Sequence, residues 1–520
     1  MTLKTSITTG GKGHLLALLA GALFPLGLAP LNLWPLIPVS MALLLVLLEG
    51  QTPKRAFWRA FLYGMGFNGV GISWVYVSIH FYGNTPVWLA ALGTLLFCAF
   101  LSLLLFSLPF WAFRRWQMDR YALLTFPALW VLVEWSKSWL LSGFPWLWAG
   151  YGFIDSPLWG LAPVAGALGL SLVAAVSAVL LRFIFKQENL RRMPAVIGLV
   201  ALWAGCWALN SLEWTLPDLA QTRKVALVQG NIPQEQKWDP KYRKAIIDTY
   251  VKATEANWDA EFILWPEAAY PVFYHQAMRT ITELDIRASE KSVAIVSGVP
   301  RWEPNENGEQ HYFNAVFVIG DGQGIYNKQK LVPFGEYVPL EDLMRGLLPF
   351  FNLPMSSFTS GASEQPVLMA KGLSFAAYIC YEIVYPELVR EQAKGKDFLV
   401  TISNDAWFGH SWGPIQHFQM ARMRALETGK YLLRGTNTGI TAIIDHKGRV
   451  QSQLPQFEQG VLKGVVYGTQ GVTPFVQFGQ WPVLALCFLG LIVGVVLSLR
   501  PEPALNVRPL YHNATVTRSK

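Results

Sequence analysis

The chain has 520 residues, of which 52% are hydrophobic and only 15% are charged, and it carries 22 Trp and 31 Phe. Soluble globular proteins hold roughly 25% charged residues. The composition therefore excludes an ordinary soluble protein, a disordered chain, a collagen and a small disulfide scaffold. The formal net charge of +8 arises in residues 1–211, where 13 Lys and Arg stand against 5 Asp and Glu. A basic excess confined to an apolar half predicts no nucleic-acid partner.

Long apolar runs dominate the first 211 residues, and most reach the roughly 20 residues that a membrane-spanning helix needs. They predict seven transmembrane helices in residues 1–211 and an eighth at 481–499. The first two runs are short and rich in Pro, so one interrupted segment is the alternative to the two helices that we prefer. The runs lie at 13–29, 33–49, 57–79, 86–111, 121–141, 160–184, 194–211 and 481–499.

Lys and Arg are distributed unevenly around these runs. Twelve of the 13 basic residues precede the first run or follow the second, fourth and sixth runs. The positive-inside rule therefore places the N-terminus in the cytoplasm, residues 212–480 outside it, and the tail 501–520 back in the cytoplasm. The exception, Lys137, lies three residues after Glu134 in the fifth run. The two are either functional intramembrane charges or a mutual ion pair.

After residue 213 the pattern changes to short runs rich in Val, Ile and Phe that alternate with helix-like stretches. This alternation predicts a layered α/β domain, which we place at 220–466. The predicted strands lie at 225–229, 262–265, 293–297, 315–319, 375–379 and 398–403, and the predicted helices include 242–256, 279–291 and 416–426. The Gly-rich stretch 320–324 lies between strand-like runs and predicts a hairpin turn.

Cys380 is the only Cys in this outer domain, because the other three lie in apolar runs. It directly follows a predicted buried strand, the position where α/β folds place functional groups. Glu267 follows another apolar run in the same way, and a carboxylate there is costly to bury unless it is paired or used. Lys328 and Glu336 flank a third apolar, turn-forming stretch. Each of these charges alone is typical of a protein surface.

Together these segments resemble the nitrilase, or carbon–nitrogen hydrolase, superfamily over residues 220–466, and more closely the membrane-bound apolipoprotein N-acyltransferase family. The matching segments are Gln-Gly-Asn-Ile-Pro at 229–233, Trp-Pro-Glu at 265–267, Val-Pro-Phe-Gly-Glu at 332–336, Cys-Tyr-Glu at 380–382 and Ser-Asn-Asp-Ala-Trp-Phe at 403–408. The resemblance implies an α-β-β-α sandwich. It also implies the catalytic set Glu267, Lys328 and Cys380, with Glu336, Tyr381 and Glu382 in support.

The reaction that the resemblance implies has two steps. Cys380 takes an acyl chain from a membrane phospholipid as a thioester, and the α-amino group of a diacylglyceryl-cysteine at a lipoprotein N-terminus then accepts it. The implied partners are a phospholipid donor, an apolipoprotein acceptor and the bilayer, with no cofactor and no metal. The implied protein is a monomer of the inner membrane whose catalytic domain faces the periplasm. His410 and His417 lack the context of a zinc site.

Several apolar residues are candidates for substrate contact. The stretch 347–355, with Phe351 at its centre, is either a lid that dips into the bilayer or ordinary core packing. Trp407 and Trp412 are candidates for a second gate, and Trp238 for the opening of the site.

Two other functions stay open on the sequence. The first is a membrane-anchored amidase that hydrolyses a small amide with the same three residues. The second is a transporter or receptor with a non-catalytic binding domain, against which the intact Glu267, Lys328 and Cys380 argue.

Overall fold

The computed structural model describes residues 10–187, 189–304, 307–337 and 358–500. Its N-terminal part consists of helices that lie close to the predicted apolar runs. These helices are α1 Gly10–Leu23, α2 Leu36–Leu48, α3 Pro53–Gly71, α4 Val87–Arg115, α5 Ala122–Ser136, α6 Ala162–Lys186 and α7 Met193–Ala208. The first two runs form separate helices, because α1 gives way to the 3-10 turn Phe24–Gly27 at Pro25.

Length and hydropathy distinguish the helices that could cross a membrane from the others. Within the described residues, four helices are long and apolar enough to cross a membrane: Val87–Arg115, Trp159–Lys186, Leu190–Ser211 and Trp481–Leu499. Helices α1, α2 and α5 have 14, 13 and 15 residues. At 1.5 Å per residue they are about 20 Å long, which is less than a hydrocarbon core of about 30 Å. The count of seven N-terminal crossings therefore stays a prediction.

The second half of the chain forms two β-sheets. The first half of this domain supplies β1 Thr215–Gln229, β2 Phe262–Leu264, β3 Ala294–Pro304, β4 Gln310–Gly320, β5 Gly322–Gln323 and β6 Ile325–Asn327. The second half supplies β7 Leu368–Ala370, β8 Leu373–Ile379, β9 Phe398–Ser403, β10 Leu432–Thr436, β11 Ala442–Ile444, β12 Val450–Gln453 and β13 Gly460–Gly471. One sheet has the strand order β13-β1-β2-β3-β4-β6 and the other the order β12-β11-β10-β9-β8-β7-β5.

Helices cover the outer face of each sheet. The first sheet carries α9 Arg243–Glu255 and α10 Tyr274–Glu290, and the second carries α11 Pro386–Ala393 and α12 Gly413–Thr428. The domain also contains the short helices α8 Gln234–Lys237 and α13 Pro474–Phe478, and the apolar α14 Trp481–Leu499 follows it and packs against α5. Alternate residues of each strand point to opposite faces. In β2, Phe262 and Leu264 pack between the sheets, whereas Ile263 packs under α9 and α10. This arrangement is the predicted α-β-β-α sandwich, which is confirmed.

The second sheet shares its outer core with the membrane helices. Tyr378 of β8 and Leu432 of β10 belong to the same continuous apolar cluster as Phe24, Trp130 and Leu168 of the N-terminal half. Helix α12 lies between them and is buried along almost its whole length. The α/β domain therefore rests on the helical half through a shared core.

The hairpin predicted at 320–324 is present, since β4 pairs antiparallel with β6 across it. Its two central residues, Gly322 and Gln323, form β5 and pair with β7 of the other sheet. This turn therefore also links the two sheets.

Candidate active site

Cys380 lies where β8 ends, in a strained turn. Its φ of +53° is in the left-handed region, which is uncommon for a residue with a side chain. Its carbonyl oxygen lies 3.1 Å from Nε2 of His417. Such strain persists only where the surroundings hold it, and it is concentrated at functional sites. Burial raises the pKa of the Cys380 thiol to about 12, the charge of Glu267 adds to this rise, and Lys328 opposes it.

Glu267 follows β2 at the same edge of the sandwich and is 8% exposed. One carboxylate oxygen accepts a 2.8 Å hydrogen bond from the Asn314 side-chain amide, and the other accepts a 2.8 Å bond from the backbone N–H of Asn404. Gly298 on β3 makes room for this turn, because a Cβ there would lie 2.8 Å from the Glu267 Cα. The carboxylate is therefore fixed in position by two donors.

Lys328 directly follows β6 and is buried. Its ammonium donates a 2.8 Å hydrogen bond to Oε1 of Glu336, whose Oε2 accepts from the backbone N–H of Val332 at 2.8 Å. Burial alone would lower the pKa of Lys328, but Glu336 and then Glu267 and Cys380 raise it above its ordinary value. Lys328 is therefore an ammonium at neutral pH.

Asn314 joins the two carboxylates of the site. Its amide nitrogen donates to Oε1 of Glu267 at 2.8 Å and to Oε1 of Glu336 at 3.0 Å. Glu336 thus contacts Lys328 directly and Glu267 through Asn314. The charges of Glu267 and Lys328 both act on the Cys380 thiol. The structure therefore brings together the three residues predicted to be catalytic.

Glu382 connects the turn at Cys380, called the nucleophile turn below, to the residues that follow Lys328. Its Oε2 accepts a 2.8 Å bond from the N–H of Ile379, the residue before Cys380. Its Oε1 accepts from the Tyr326 hydroxyl at 2.8 Å and from the N–H groups of Gln329 and Lys330 at 2.6 and 3.1 Å. Burial raises the pKa of Glu382 to about 7. This carboxylate holds the strand ends that carry Cys380 and Lys328.

The predicted substrate-contacting residues lie in different places. Trp238 is half-buried and follows α8, and Trp412 is half-buried at the start of α12. Trp407 is 41% exposed, and its ring centroid lies 5.6 Å from that of Tyr82 in the helical half. Phe351 and the rest of the stretch 347–355 lie outside the described residues.

Comparisons with known proteins agree with this architecture. The family model of the apolipoprotein N-acyltransferase N-terminal domain matches residues 20–180, and the carbon-nitrogen hydrolase model matches residues 224–467. An apolipoprotein N-acyltransferase of Pseudomonas aeruginosa is 46% identical over 506 residues, which cover 95% of this chain and 98% of that protein. The chain belongs to the apolipoprotein N-acyltransferase family.

A further relative matches nearly the whole chain, and a solved structure matches about half of it. An apolipoprotein N-acyltransferase of Azotobacter vinelandii is 46% identical over 504 residues, which cover 95% of this chain and 97% of that protein. Among solved structures, an amidase of the nitrilase superfamily from Nesterenkonia is 20% identical, with a TM-score of 0.37, and covers 52% of this chain and 98% of its own. The carbon-nitrogen hydrolase family model, together with the long apolar helices, shows a nitrilase-like domain joined to a helical region with membrane-span candidates.

Two groups in the site were missed by the sequence analysis. Lys237 is 3% exposed, and its ammonium donates a 2.9 Å bond to the backbone carbonyl of Glu267. Burial lowers the pKa of Lys237 to about 8, while the charges of Glu267 and Cys380 oppose this change. Asn314 lies within β4 and directly precedes the apolar run 315–319 as an isolated polar residue. This position was the only sequence signal for Asn314, whereas Lys237 in a short polar helix gave none.

The sequence analysis also missed a hydrogen-bond network around Asp405. This carboxylate contacts Nδ1 of His417 at 3.0 Å and accepts from the Arg434 guanidinium at 2.6 Å and from the Ser403 hydroxyl at 2.6 Å. Burial alone would raise the pKa of Asp405, but Arg434 and His417 hold it well below its usual range. His417 thereby connects Asp405 to the Cys380 carbonyl, whereas His410 stacks on Phe457, with ring centroids 3.9 Å apart.

Proposed function

We propose that this chain moves an acyl chain from a membrane phospholipid, through a thioester on Cys380, to the α-amino group of the N-terminal diacylglyceryl-cysteine of lipoproteins. One observation carries the proposal. The buried Glu267 and Lys328 and the half-buried Cys380 lie where the nitrilase-like domain meets the apolar helical half. Relatives of equal length are named for this activity.

In the first step the Cys380 sulfur attacks the sn-1 ester carbonyl of the phospholipid. Because the thiol pKa is raised to about 12, the resting group is a thiol, and Glu267 accepts its proton during attack. The ammonium of Lys328 stabilises the oxyanion of the tetrahedral intermediate. The C–O bond then breaks, Glu267 returns the proton to the glycerol oxygen, and a lysophospholipid leaves.

In the second step the lipoprotein amine attacks the thioester carbonyl. Glu267 accepts a proton from the amine nitrogen, the C–S bond breaks, and the sulfur regains a proton from Glu267. The product is an amide, and the thiol is restored. A covalent intermediate of this kind predicts ping-pong kinetics. Water must be kept out, because it would hydrolyse the thioester.

The position of the site suits two lipid substrates. The contact between Trp407 and Tyr82 lies where the catalytic domain meets the helical half. We assign Trp407, Trp412 and Trp238 to the walls of the opening. Lipid headgroups and ester bonds would reach Cys380 from this side.

The distribution of Lys and Arg supports a matching topology. In it, residues 1–211 form seven crossings and 481–499 the eighth, in the inner membrane. Both termini, including the tail 501–520, are cytoplasmic, and the catalytic domain 220–466 faces the periplasm. The enzyme acts as a monomer, in this proposal, on a phospholipid donor and a lipoprotein acceptor.

Intact-mass analysis of protein purified from membranes tests the proposal. The expected result is an acyl-sized adduct that is absent in Cys380→Ser and is released by a diacylglyceryl-cysteine peptide. Incubation with small amides is the second arm. Ammonia release from these amides without an acyl adduct would identify an amidase and overturn the proposal.

A further inference from the structure

The helical half contains two buried charges, Glu134 and Lys137, that hold a loop. The ammonium of Lys137 donates a 2.9 Å hydrogen bond to the carbonyl of Trp146. Oε1 of Glu134 accepts 2.8 Å bonds from the N–H of Ala149 and from the Trp130 indole. Burying charges is costly unless hydrogen bonds compensate for the lost water. Here both charges bind the backbone of residues 142–149, a part of the connection between α5 and α6 that is called the loop 142–149 below.

Trp146 in this loop reaches the catalytic domain. It is 2% exposed, and its indole N–H donates a 2.7 Å bond to the side-chain carbonyl of Gln416 on α12. Its ring stacks on Tyr381 with centroids 6.5 Å apart and on His417 with centroids 6.1 Å apart. Tyr381 follows Cys380 in the chain, and His417 contacts its carbonyl. Trp146 thus touches both groups that flank the nucleophile.

A second contact joins the same loop to the nucleophile turn. The Tyr381 hydroxyl donates a 3.0 Å bond to the carbonyl of Gly143, and the Tyr385 hydroxyl donates to the same carbonyl at 3.2 Å. Gly143 has a φ of +91°, and a Cβ there would lie 2.6 Å from the Ser138 carbonyl oxygen. A glycine is therefore required where the loop meets the two tyrosines.

We propose that the loop 142–149 is a part of the active site that the helical half supplies, with Trp146 as a positioning residue for Cys380. Lys137 and Glu134 fix the loop, and the loop fixes Tyr381 and His417. The turn at Cys380 keeps its strained backbone because it is held on these two sides. This inference rests on the proposed function only for its kinetic readout.

The test compares Trp146→Leu and Lys137→Met with Trp203→Leu. Trp203 of α7 is a matched control outside the loop, because its indole N–H also donates a side-chain hydrogen bond, of 2.9 Å to Ser177, and its ring lies against Trp34, with centroids 5.2 Å apart, and not against the turn at Cys380. We expect Trp146→Leu and Lys137→Met to lower kcat roughly tenfold to a hundredfold with little change in KM, since small misplacements at a reacting centre cost that much. Lys137→Arg, which retains a donor, should recover most of the rate.

Hydrogen–deuterium exchange of the peptide 377–385 is the readout that needs no substrate. Exchange there should become faster in Trp146→Leu and Lys137→Met and stay at the wild-type rate in Trp203→Leu. Among the Trp146 variants, Trp146→Phe keeps an aromatic ring, so it should change exchange least and guards against loss of folding. Equal effects in Trp146→Leu and Trp203→Leu, or unchanged exchange in Trp146→Leu, would overturn the proposal. If the wild-type protein carried no acyl adduct, the proposed function would be wrong. The exchange comparison would still test the role of the loop, because it needs no substrate.

Discussion

The nucleophile of this site is a weakly acidic thiol. Burial and the charge of Glu267 raise the pKa of Cys380 to about 12, although Lys328 opposes the rise. Only a minute fraction is thiolate at neutral pH, so reactivity must come from proton transfer during attack. A thiol of this kind is also slow to oxidise, because oxidants react with thiolates. This property suits Cys380, which is half-buried, whereas Cys98, Cys206 and Cys487 are buried.

Replacing Glu267 should separate ionisation of the thiol from catalysis. Glu267→Gln removes a negative charge beside Cys380, which should lower the thiol pKa by about one unit. Alkylation by iodoacetamide at about pH 9 should then be roughly tenfold faster, because the rate follows the thiolate fraction. Acyl transfer should fall by about 10² to 10⁴, since the base is lost.

Lys328→Met is the opposite control for this experiment. Removing the ammonium should raise the thiol pKa, so alkylation of Cys380 should slow at the same pH while acyl transfer is also lost. Both rates follow from mass spectrometry of the labelled protein. If alkylation in the two variants changed in the same direction, the charges assigned to Glu267 and Lys328 around the thiol would be wrong.

At the scale of elements, the site is assembled from the ends of β2, β6, β8 and β9. Glu382 joins two of these ends, because it accepts from the N–H of Ile379 and from the N–H of Gln329. Strand ends that carry the nucleophile and the ammonium are thereby kept at a fixed separation. Catalysis by Cys380 and Lys328 requires such a fixed separation, because reacting groups must be held in the correct orientation.

Glu382→Gln should loosen this connection. A carboxylate offers two acceptor oxygens, whereas an amide offers one oxygen and one N–H₂ group. In either orientation the amide donor would face a backbone N–H, which costs about 1–3 kcal/mol. We expect a lower thermal midpoint and roughly tenfold slower transfer. Glu283→Gln, at an exposed acid on α10, is the control and should change neither.

Unaltered transfer and thermal stability in Glu382→Gln would show that the two strand ends are held without this carboxylate. The thermal midpoint is measured in detergent by intrinsic Trp fluorescence. Transfer is measured as acylation of a diacylglyceryl-cysteine peptide.

The strands that could be predicted are those with continuous apolar runs. The predicted strand 398–403 coincides with β9, and 375–379 lies within β8, because each is buried on both faces. The strands β10 to β13 were missed. β10 contains Arg434, whose charge is matched only by the distant Asp405, and β13 alternates with exposed residues. A partner far along the chain leaves no local signal.

The same reasoning applies to the site. Cys380, Glu267 and Lys328 could be identified because they follow apolar runs and match family segments. His417 was set aside as a failed zinc ligand, and its contact with the Cys380 carbonyl depends on α12 crossing the end of β8. Glu134 and Lys137 were expected to be functional or mutually paired. Both bind the loop 142–149, which their spacing alone does not reveal.

At the scale of the whole molecule, the catalytic domain and the helical half share one core. Helices α12 and α13 pack against α6, where Gly166 has a φ of +66° and a Cβ would lie 2.5 Å from the ring of Phe475 on α13. At this contact the fully buried Arg424 and Glu427 form an ion pair of 3.2 Å, and Glu427 accepts a 2.7 Å bond from the N–H of Ala167 on α6. The pair therefore joins the two halves.

Removing one partner of this pair should be more harmful than removing both charges. Arg424→Met leaves a buried, unpaired carboxylate, and such losses cost about 3–5 kcal/mol. The double variant Arg424→Met with Glu427→Gln has no buried charge there, and the amide oxygen can still accept from Ala167, so most of the stability should return. Thermal unfolding in detergent, followed by Trp fluorescence, measures both. Lys463→Met, at an exposed pair with Asp259, should leave the midpoint unchanged.

The rates of acyl transfer in these variants should follow the same order as their thermal stabilities, because α12 carries both this ion pair and His417. The single variant should lose activity at temperatures where the double variant and the wild type keep it. If the double variant were as unstable as Arg424→Met, the Arg424 side chain would stabilise the contact by its packing over the Tyr151 ring and not by its charge. Arg424→Lys distinguishes these cases, since it keeps the charge and loses the planar group that stacks on the ring.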